Sequence, residues 1–311
     1  MTIGIAASGP WAGAGILAGL RAVEAIGRGA IGGFVSLAVL TEDGRLLRVD
    51  TQNRGTKGLF AGAPAPDILK APLAALISSG PDRPEPLSQF VAADIHVGLV
   101  TGHRFPQAPT RDGPPLNAAI LAAMQKGATP QQAVNAIIAA EPGQDAGFIA
   151  LSKTGVFGIG NMPSVLRRSD QGVAESRCAD TAARVAALHN AIQPHKAVGP
   201  LACEAALDEI RLRGTARRTI ILRAELLLSH GTAPEIHVNA MGNAVKVAHP
   251  GAQDLGDEVS FGLGDRVRVI QDGALIGWLE HEPFMVARQR KVVTFDGQAF
   301  LQVPVLLRDA Q

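Results

Sequence analysis

The sequence predicts an α/β protein of the α+β type, in which helices cover antiparallel sheets and a β-rich subdomain follows. The turn signals Asp43-Gly44 and Thr154-Gly155 each lie between two short apolar runs, as in a β-hairpin. Apolar residues at helical spacing precede both predicted hairpins. After Arg218 the residue pattern changes to short apolar runs bounded by turn residues. We therefore expect a first domain over residues 1–215 and a β-rich C-terminal subdomain over 216–311.

The first predicted elements are a strand, a helix and a hairpin. Apolar alternation over residues 3–7 predicts a strand, and the spacing over 13–26 predicts a helix that Gly27 ends. The runs 33–40 and 45–49 flank Asp43-Gly44 and predict an antiparallel pair.

The proline-rich segment 61–90 predicts an ordered surface excursion around a short helix near 68–78, and a strand is expected over 94–101. Residues 116–126 predict the next helix. Thr129 and Pro130 then predict a helix start, with threonine as the N-cap, for a helix that reaches Ala140.

The second predicted hairpin pairs 146–151 with 156–159, and its first strand resembles residues 32–37, which suggests an internal repeat. The segment 177–213 is predicted to be helical, as two helices over 177–192 and 201–213. The turns Asp272-Gly273 and Asp296-Gly297 are expected to join strand pairs in a C-terminal β subdomain, such as a small barrel. The predicted strands of this subdomain are 219–228, 235–239, 244–248, 266–270, 274–279, 291–295 and 298–307.

Composition and charge exclude several classes of protein. The 29 basic and 28 acidic residues give a net charge of +1, without the basic excess that phosphate contacts need, so we expect no nucleic-acid partner. Two cysteines are too few for a disulfide framework, which favours a reducing, cytoplasmic compartment. The uncharged stretch 2–20 contains Pro10 and five glycines and lacks a basic region ahead of it, so we expect neither a membrane span nor a signal peptide. We therefore expect a small-molecule substrate, and the sequence leaves open whether the protein forms a homo-oligomer.

Cofactor motifs are weak. Gly13-x-Gly15-x-x-Ala18 follows a strand and opens a helix, as in a dinucleotide fingerprint, but the next predicted strand turns straight back in a hairpin. The eight histidines show no H-E-x-x-H spacing, and no G-x-S-x-G occurs. We therefore expect no cofactor and no metal.

Thr2 is a candidate N-terminal nucleophile. Removal of Met1 would make its α-amine, with a pKa of about 7.7–8.0, available to deprotonate its own hydroxyl group. The first predicted strand would hold both groups rigidly.

Residues 116–160, with the sequence LNAAILAAMQKGATPQQAVNAIIAAEPGQDAGFIALSKTGVFGIG, form a predicted helix–helix–strand–turn–strand unit. This unit resembles the corresponding segment of bacterial domain-of-unknown-function 1028 proteins, and more distantly it is similar to γ-glutamyltransferases and isoaspartyl peptidases. The resemblance extends to residues 32–55 by analogy. It implies the four-layer αββα sandwich of the Ntn-hydrolases, with two antiparallel sheets between helices, and it implies hydrolysis of an amide or small peptide-like bond.

Polar side chains at the ends of these strands complete the candidate site. The nucleophile would be Thr2 or Ser36, and Asn53 or Asn161 would donate hydrogen bonds to an oxyanion. The expected substrate-binding residues are Arg54, His103, Arg104, Asp112 and Asn117, with Arg54 or Arg104 holding a carboxylate. Two other functions stay open: a non-catalytic ligand-binding or assembly protein on the same fold, and a nucleotide-dependent enzyme that uses the Gly13–Ala18 motif.

Overall fold

The computed structural model describes residues 2–178, 181–253 and 256–308. The chain is a mixed α+β protein that divides into two compact units, Met1–Gly214 and Thr215–Gln311. Among the described residues, no helix has both the length and the apolar character needed to cross a bilayer.

The first unit contains a six-stranded sheet of order β3-β2-β4-β1-β10-β9 and a four-stranded sheet of order β5-β6-β7-β8. Every strand pair in both sheets is antiparallel. The strands are β1 (Thr2–Ser8), β2 (Val35–Leu40), β3 (Leu46–Thr51), β4 (Leu73–Ser79), β5 (Ala92–Asp94), β6 (Gly98–Arg104), β7 (Ala146–Ser152), β8 (Phe157–Asn161), β9 (Gln171–Arg177) and β10 (Arg184–Asn190). The helices are α1 (Ala12–Ile26), α2 (Gly55–Gly58), α3 (Pro66–Lys70), α4 (Leu116–Gln125), α5 (Pro130–Ala140), α6 (Pro163–Leu166) and α7 (His195–Gly214).

Elements with strong local signals form as predicted. The first strand, α1, both hairpins of the first unit and the helices α4 and α5 are confirmed. At the start of α5, the Thr129 Oγ1 accepts a hydrogen bond from the Gln132 N–H, and the Gln132 side chain accepts one from the Thr129 N–H. This capping box satisfies two of the amide groups that a helix start leaves without partners.

The helix expected near 68–78 is wrong. Only Pro66–Lys70 is helical, and Leu73–Ser79 forms β4, which is buried along its whole length between β2 and β1. A central strand covered on both faces has a continuous apolar run without the alternation that marks a half-exposed strand. The strand expected over 94–101 is likewise divided into β5 and β6 by a turn that ends at Gly98, whose φ is +142°.

The helix expected over 177–192 is also wrong. Within the described part of this segment, Arg177 ends β9 and Arg184–Asn190 forms β10; residues 179–180 lie outside the described residues. The alanine-rich run of β10 favours a helix locally, but pairing with both β1 and β9 overrides that preference. The predicted helix over 201–213 exists and extends back to His195, with Pro200 inside it.

The glycines of the dinucleotide-like motif allow close packing. A Cβ atom at Gly13 would lie 1.8 Å from the Ile68 carbonyl oxygen, and one at Gly15 would lie 2.7 Å from the Ile210 side chain of α7. Absence of a side chain at these positions lets α1 approach α3 and α7. The strand before the motif pairs only antiparallel, whereas a dinucleotide-binding unit has a parallel β-α-β arrangement.

Three apolar clusters stabilise the first unit. One joins side chains of the six-stranded sheet, such as Ile3 and Ile5, to α1 and α7. A second contains side chains of both sheets, among them Ala6 of β1 and Ile149 of β7. A third joins the four-stranded sheet to α4 and α5. Alternate residues of β1 therefore lie in different clusters, and Thr2, Gly4 and Ala6 share the face that meets the four-stranded sheet.

The second unit is a curled ten-stranded sheet of order β11-β20-β17-β16-β13-β14-β12-β19-β18-β15 around its own apolar cluster. The predicted strand 219–228 is two strands, and β15 and β18 carry no prediction. Asp296-Gly297 joins β19 to β20 as expected, and an antiparallel bridge between Phe295 and Gln298 closes the turn. The strand pairing does not continue beyond this bridge, because β19 pairs with β18 and β12 while β20 pairs with β11 and β17. The strands are β11 (Arg217–Arg223), β12 (Leu227–His230), β13 (Glu235–Val238), β14 (Ala244–His249), β15 (Glu258–Gly262), β16 (Arg268–Gln271), β17 (Ala274–Leu279), β18 (Phe284–Arg288), β19 (Lys291–Phe295) and β20 (Phe300–Leu307).

Candidate active site

Thr2 is the first residue of β1 and is 7 % exposed. Its Oγ1 accepts a hydrogen bond from the backbone N–H of Arg104, the last residue of β6 in the other sheet. The same hydroxyl group donates to the Oδ1 of Asn190 at 3.3 Å. The threonine hydroxyl is thus held from two sides, once by each sheet.

Glycine at position 4 allows the two sheets to meet at this hydroxyl group. A Cβ atom on Gly4 would lie 2.3 Å from the carbonyl oxygen of Gly102, which is closer than Cβ atoms come to oxygen atoms in proteins. The close approach of β1 and β6 brings the end of β6, two residues after Gly102, next to Thr2. Larger residues at position 4 would separate the strands and move the Arg104 N–H away from the hydroxyl group.

His103 is fully buried next to this contact, and its Nε2 lies 2.8 Å from the Oδ1 of Asn161. Because a carboxamide oxygen only accepts, Nε2 carries the proton and Nδ1 is left as an acceptor, which has no partner among the described residues. Burial lowers the pKa of His103 to about 4, although Asn161 opposes this by raising it. The imidazole is therefore neutral at pH 7. Gly147 leaves room for the pair, since a Cβ atom there would lie 1.9 Å from the Asn161 Oδ1.

Asn190 connects Thr2 to the histidine. Its Oδ1 accepts from Thr2, and its side chain also lies close enough to His103 to raise the pKa of the imidazole. Its Nδ2 is buried and has no hydrogen-bond partner of ordinary geometry among the described residues. A buried amide donor without a partner beside a hydroxyl group can bind an oxygen atom that a ligand brings. The sequence interpretation missed Asn190 because it placed this residue in a helix.

The Arg104 side chain is not free to hold a substrate carboxylate. Its guanidinium group forms two hydrogen bonds with the carboxylate of Asp145, a pair that sequence interpretation did not identify. Asp170, with a pKa held below its usual value mainly by Arg168, lies close enough to feel the charge of Arg104 as well. What Arg104 presents to Thr2 is its backbone N–H.

Ser36, the second candidate nucleophile, lies elsewhere in the six-stranded sheet. It is fully buried and pairs with Ile77 of β4 and Asp50 of β3, whereas Thr2 pairs with Ser79 of β4. Two strand spacings and an offset of two residues along the strands separate Ser36 from Thr2, or roughly 12 Å. Within the described residues its Oγ forms no hydrogen bond of ordinary geometry, although it lies close enough to the Asp50 carboxyl to lower the pKa of that group against the larger, opposite effect of burial.

The other four residues named from the sequence do not contact Thr2. Asn53 and Arg54 lie in the exposed loop after β3, and Arg54 lines a cavity beside α1. Asp112 lies in an exposed turn. Asn117 is buried, but its Nδ2 donates to the Gln89 carbonyl oxygen and its Oδ1 accepts from the Ala118 N–H, so both ends of its amide serve the local structure.

Groupings of three or more His, Cys, Asp or Glu side chains that could bind a metal ion are absent from residues 2–178, 181–253 and 256–308. Burial raises the pKa of the Cys203 thiol to about 12, so this side chain stays protonated.

Comparisons with known proteins place the chain in a family. No curated protein matches the chain. Residues 226–299 match the family model described as Domain of unknown function (DUF7259), which covers less than half of the chain. Residues 2–219 match the model described as Domain of unknown function (DUF6963). Because that match covers more than half of the chain, the protein belongs to the family of Domain of unknown function (DUF6963).

Proposed function

We propose that the protein hydrolyses an amide or small peptide-like bond, with Thr2 as an N-terminal nucleophile. The observation that carries this proposal is the placement of the Thr2 hydroxyl group at the start of a buried strand, between the Arg104 N–H and Asn190. A four-layer αββα sandwich is part of the same proposal. The three apolar clusters of the first unit support it, because they account for helix-to-sheet, sheet-to-sheet and sheet-to-helix packing.

Cleavage of the bond between Met1 and Thr2 would free the base that the reaction needs. The α-amine of a terminal threonine has a pKa of about 7.7–8.0, so a substantial fraction is unprotonated near neutral pH. The amine takes the hydroxyl proton as Oγ1 attacks the substrate carbonyl carbon. The resulting ammonium group gives that proton to the leaving amine, and an ester to Oγ1 remains. Water, deprotonated by the same amine, then attacks the ester and restores the hydroxyl group.

Asn190 is the best-placed donor for the oxyanion of the tetrahedral intermediate. Its Nδ2 is buried and forms no hydrogen bond of ordinary geometry within the described residues, so only a loose contact with His103 would have to yield when it binds the developing charge. Asn161 is less suited, because its Oδ1 holds His103 and its Nδ2 lies 3.5 Å from the Gln171 side chain. Asn53 is exposed and belongs to another part of the surface. We propose that Asn161 and the neutral His103 hold the Asn190 side chain in position.

The first experiment tests whether the mature chain begins at Thr2 and whether the Thr2 hydroxyl group reacts as a nucleophile. We would determine the N-terminal residue and the intact mass of the purified protein, and then treat it with a β-lactone, which acylates nucleophilic threonine. We expect a chain that begins at Thr2 and gains one acyl group. Thr2→Ala should gain none, and Thr2→Ser should retain labelling.

A chain with one extra glycine ahead of Thr2 is the matched control, because it keeps the hydroxyl group and loses the threonine amine. It should not be labelled. A protein that retains Met1, or one in which Ser36→Ala rather than Thr2→Ala abolishes labelling, would overturn the proposal. Absence of labelling together with turnover of no amide substrate would favour a non-catalytic ligand-binding protein on the same fold.

A further inference from the structure

The cavity that Arg54 lines lies between α1 and the loop that follows β3. Its volume is about 510 Å³, which is within the range of small-molecule sites, roughly 300–1,000 Å³. The side chains and backbone that line it are those of Arg21, Glu24, Ala25, Gly32, Arg54, Thr56 and Lys57.

Three cationic side chains and one carboxylate line this cavity, which leaves it with an excess of positive charge. Neither Arg21, Arg54 nor Lys57 has an ion pair or side-chain hydrogen bond within the described part of the chain. The one carboxylate of the lining, Glu24, is already engaged, since it accepts from the Thr56 N–H at 3.0 Å and from the Thr56 hydroxyl group. The cavity therefore has an excess of cationic donors, and its acidic group points to the loop backbone.

The loop is built to hold this arrangement. A Cβ atom at Gly55 would lie 2.1 Å from the Glu24 Oε1, so only glycine lets the carboxylate reach Thr56. The preceding residue, Arg54, has φ of 65°, a left-handed conformation that costs a non-glycine residue free energy. Such strain persists where surrounding contacts fix the backbone, and here it places an arginine at the edge of the cavity.

This cavity is separate from the Thr2 cluster. Thr2 faces the four-stranded sheet through its contact with Arg104, whereas α1 packs on the opposite face of β1, against Ile3 and Ile5. A ligand in the cavity would contact helix α1 and the 54–57 loop, and the sheet would lie between it and the threonine.

We propose that the cavity binds the phosphate group of a small anion, either inorganic phosphate or a phosphomonoester. Two guanidinium groups and an ammonium group supply the donors that a phosphate dianion accepts from most readily. The cavity is larger than phosphate alone requires, which leaves room for the organic part of an ester. This inference does not depend on the proposed amide hydrolysis.

The test is isothermal titration calorimetry of the full chain with sodium phosphate and, separately, with glycerol 3-phosphate, at two salt concentrations. We expect saturable binding that weakens as salt rises, because the attraction is electrostatic. Tighter binding of the ester would identify a phosphorylated metabolite as the ligand, and equal binding would identify free phosphate.

Variants locate the site. Ala25→Glu adds a negative charge to the cavity wall, and Ile26→Glu makes the same change one residue further along α1, at an exposed position outside the lining. We expect A25E to weaken binding about tenfold or more and I26E to leave it close to wild type. Arg54→Gly should also weaken binding about tenfold while keeping the left-handed backbone. Absence of saturable binding to the wild type, or equal weakening by A25E and I26E, would overturn the proposal.

Discussion

The backbone N–H of Arg104 donates to the hydroxyl group of Thr2, and this hydrogen bond joins the end of β6 to the start of β1 across the two sheets. The contact involves a backbone donor, so its geometry depends on how the sheets pack and not on the arginine side chain, which Asp145 holds. The chemistry proposed for Thr2 therefore depends on sheet packing, on the buried amide of Asn190 and on the freedom of the threonine amine.

Replacement of Asn190 by alanine should lower kcat with little change in KM. The variant removes the donor proposed for the oxyanion, and loss of one such donor costs about 10²- to 10³-fold in kcat. Steady-state kinetics on an amide substrate identified with the wild type would measure this. Ser78→Ala is the control, because it removes a buried hydrogen bond to the Phe34 carbonyl oxygen on the other face of the sheet. An N190A variant with the kcat of S78A would contradict the role given to the amide.

Replacement of Gly4 by alanine should destabilise the fold. The new methyl group would meet the Gly102 carbonyl oxygen at 2.3 Å, and backbone at such a contact can yield only by separating the sheets. We expect a loss of about 1–3 kcal/mol in the free energy of unfolding, measured by urea denaturation. Gly143→Ala is the matched control, since its Cβ atom would have nothing within 4 Å and the backbone there needs no positive φ. Equal stability of the two variants would show that β1 and β6 do not meet as closely as described.

Stability should rise with pH through the mildly acidic range. Burial lowers the pKa of both His103 and His189 to about 4, below the value of 6.5 for an exposed histidine. Between these values the unfolded chain binds protons that the folded chain does not. The histidines therefore contribute fully to the free energy of unfolding above pH 6.5, and this contribution is lost as pH falls towards 4. Each histidine contributes a slope of about 1.4 kcal/mol per pH unit in this window.

Urea midpoints at several values between pH 4.5 and 7.5, roughly spanning this window, would test the prediction. His189 is the better residue to replace, because neither of its ring nitrogens forms a hydrogen bond of ordinary geometry among the described residues, and the His195 backbone lies only close enough to oppose the lowering of its pKa. His189→Gln should reduce the slope by about half. A wild-type midpoint that does not change across the window would show that neither imidazole is buried in its neutral form.

The sequence was sufficient for elements whose signals are local. Asp43-Gly44 marks the first hairpin and Thr129 with Gln132 marks the start of α5, because turn geometry and capping involve residues only a few positions apart. It was insufficient for β4 and β10. Both are rich in alanine and are paired on two sides, so long-range pairing decided their conformation.

The same cause limited what the sequence could say about the site. Thr2, His103, Arg104 and Asn161 come together at strand ends. His103, Arg104 and Asn161 could be named as polar residues at the ends of apolar runs, and Thr2 could be named from its place directly after Met1. Asn190 could not be named, because it is polar at the end of a segment interpreted as a helix. A buried run of four apolar residues, 185–188, followed by two polar ones is the signal that a strand interpretation would have used.

The hydrogen bond between Thr2 and Asn190 joins residues 188 positions apart. Since ribosomes make the chain from its amino end, β1 can pair with β4 early, but its other edge cannot be paired until β10 has been synthesised and has left the exit tunnel. Until then Asn190 is not next to Thr2, so the proposed nucleophile lacks the donor assigned to the oxyanion. Late closure of this sheet therefore delays assembly of the proposed site until the first unit is nearly complete.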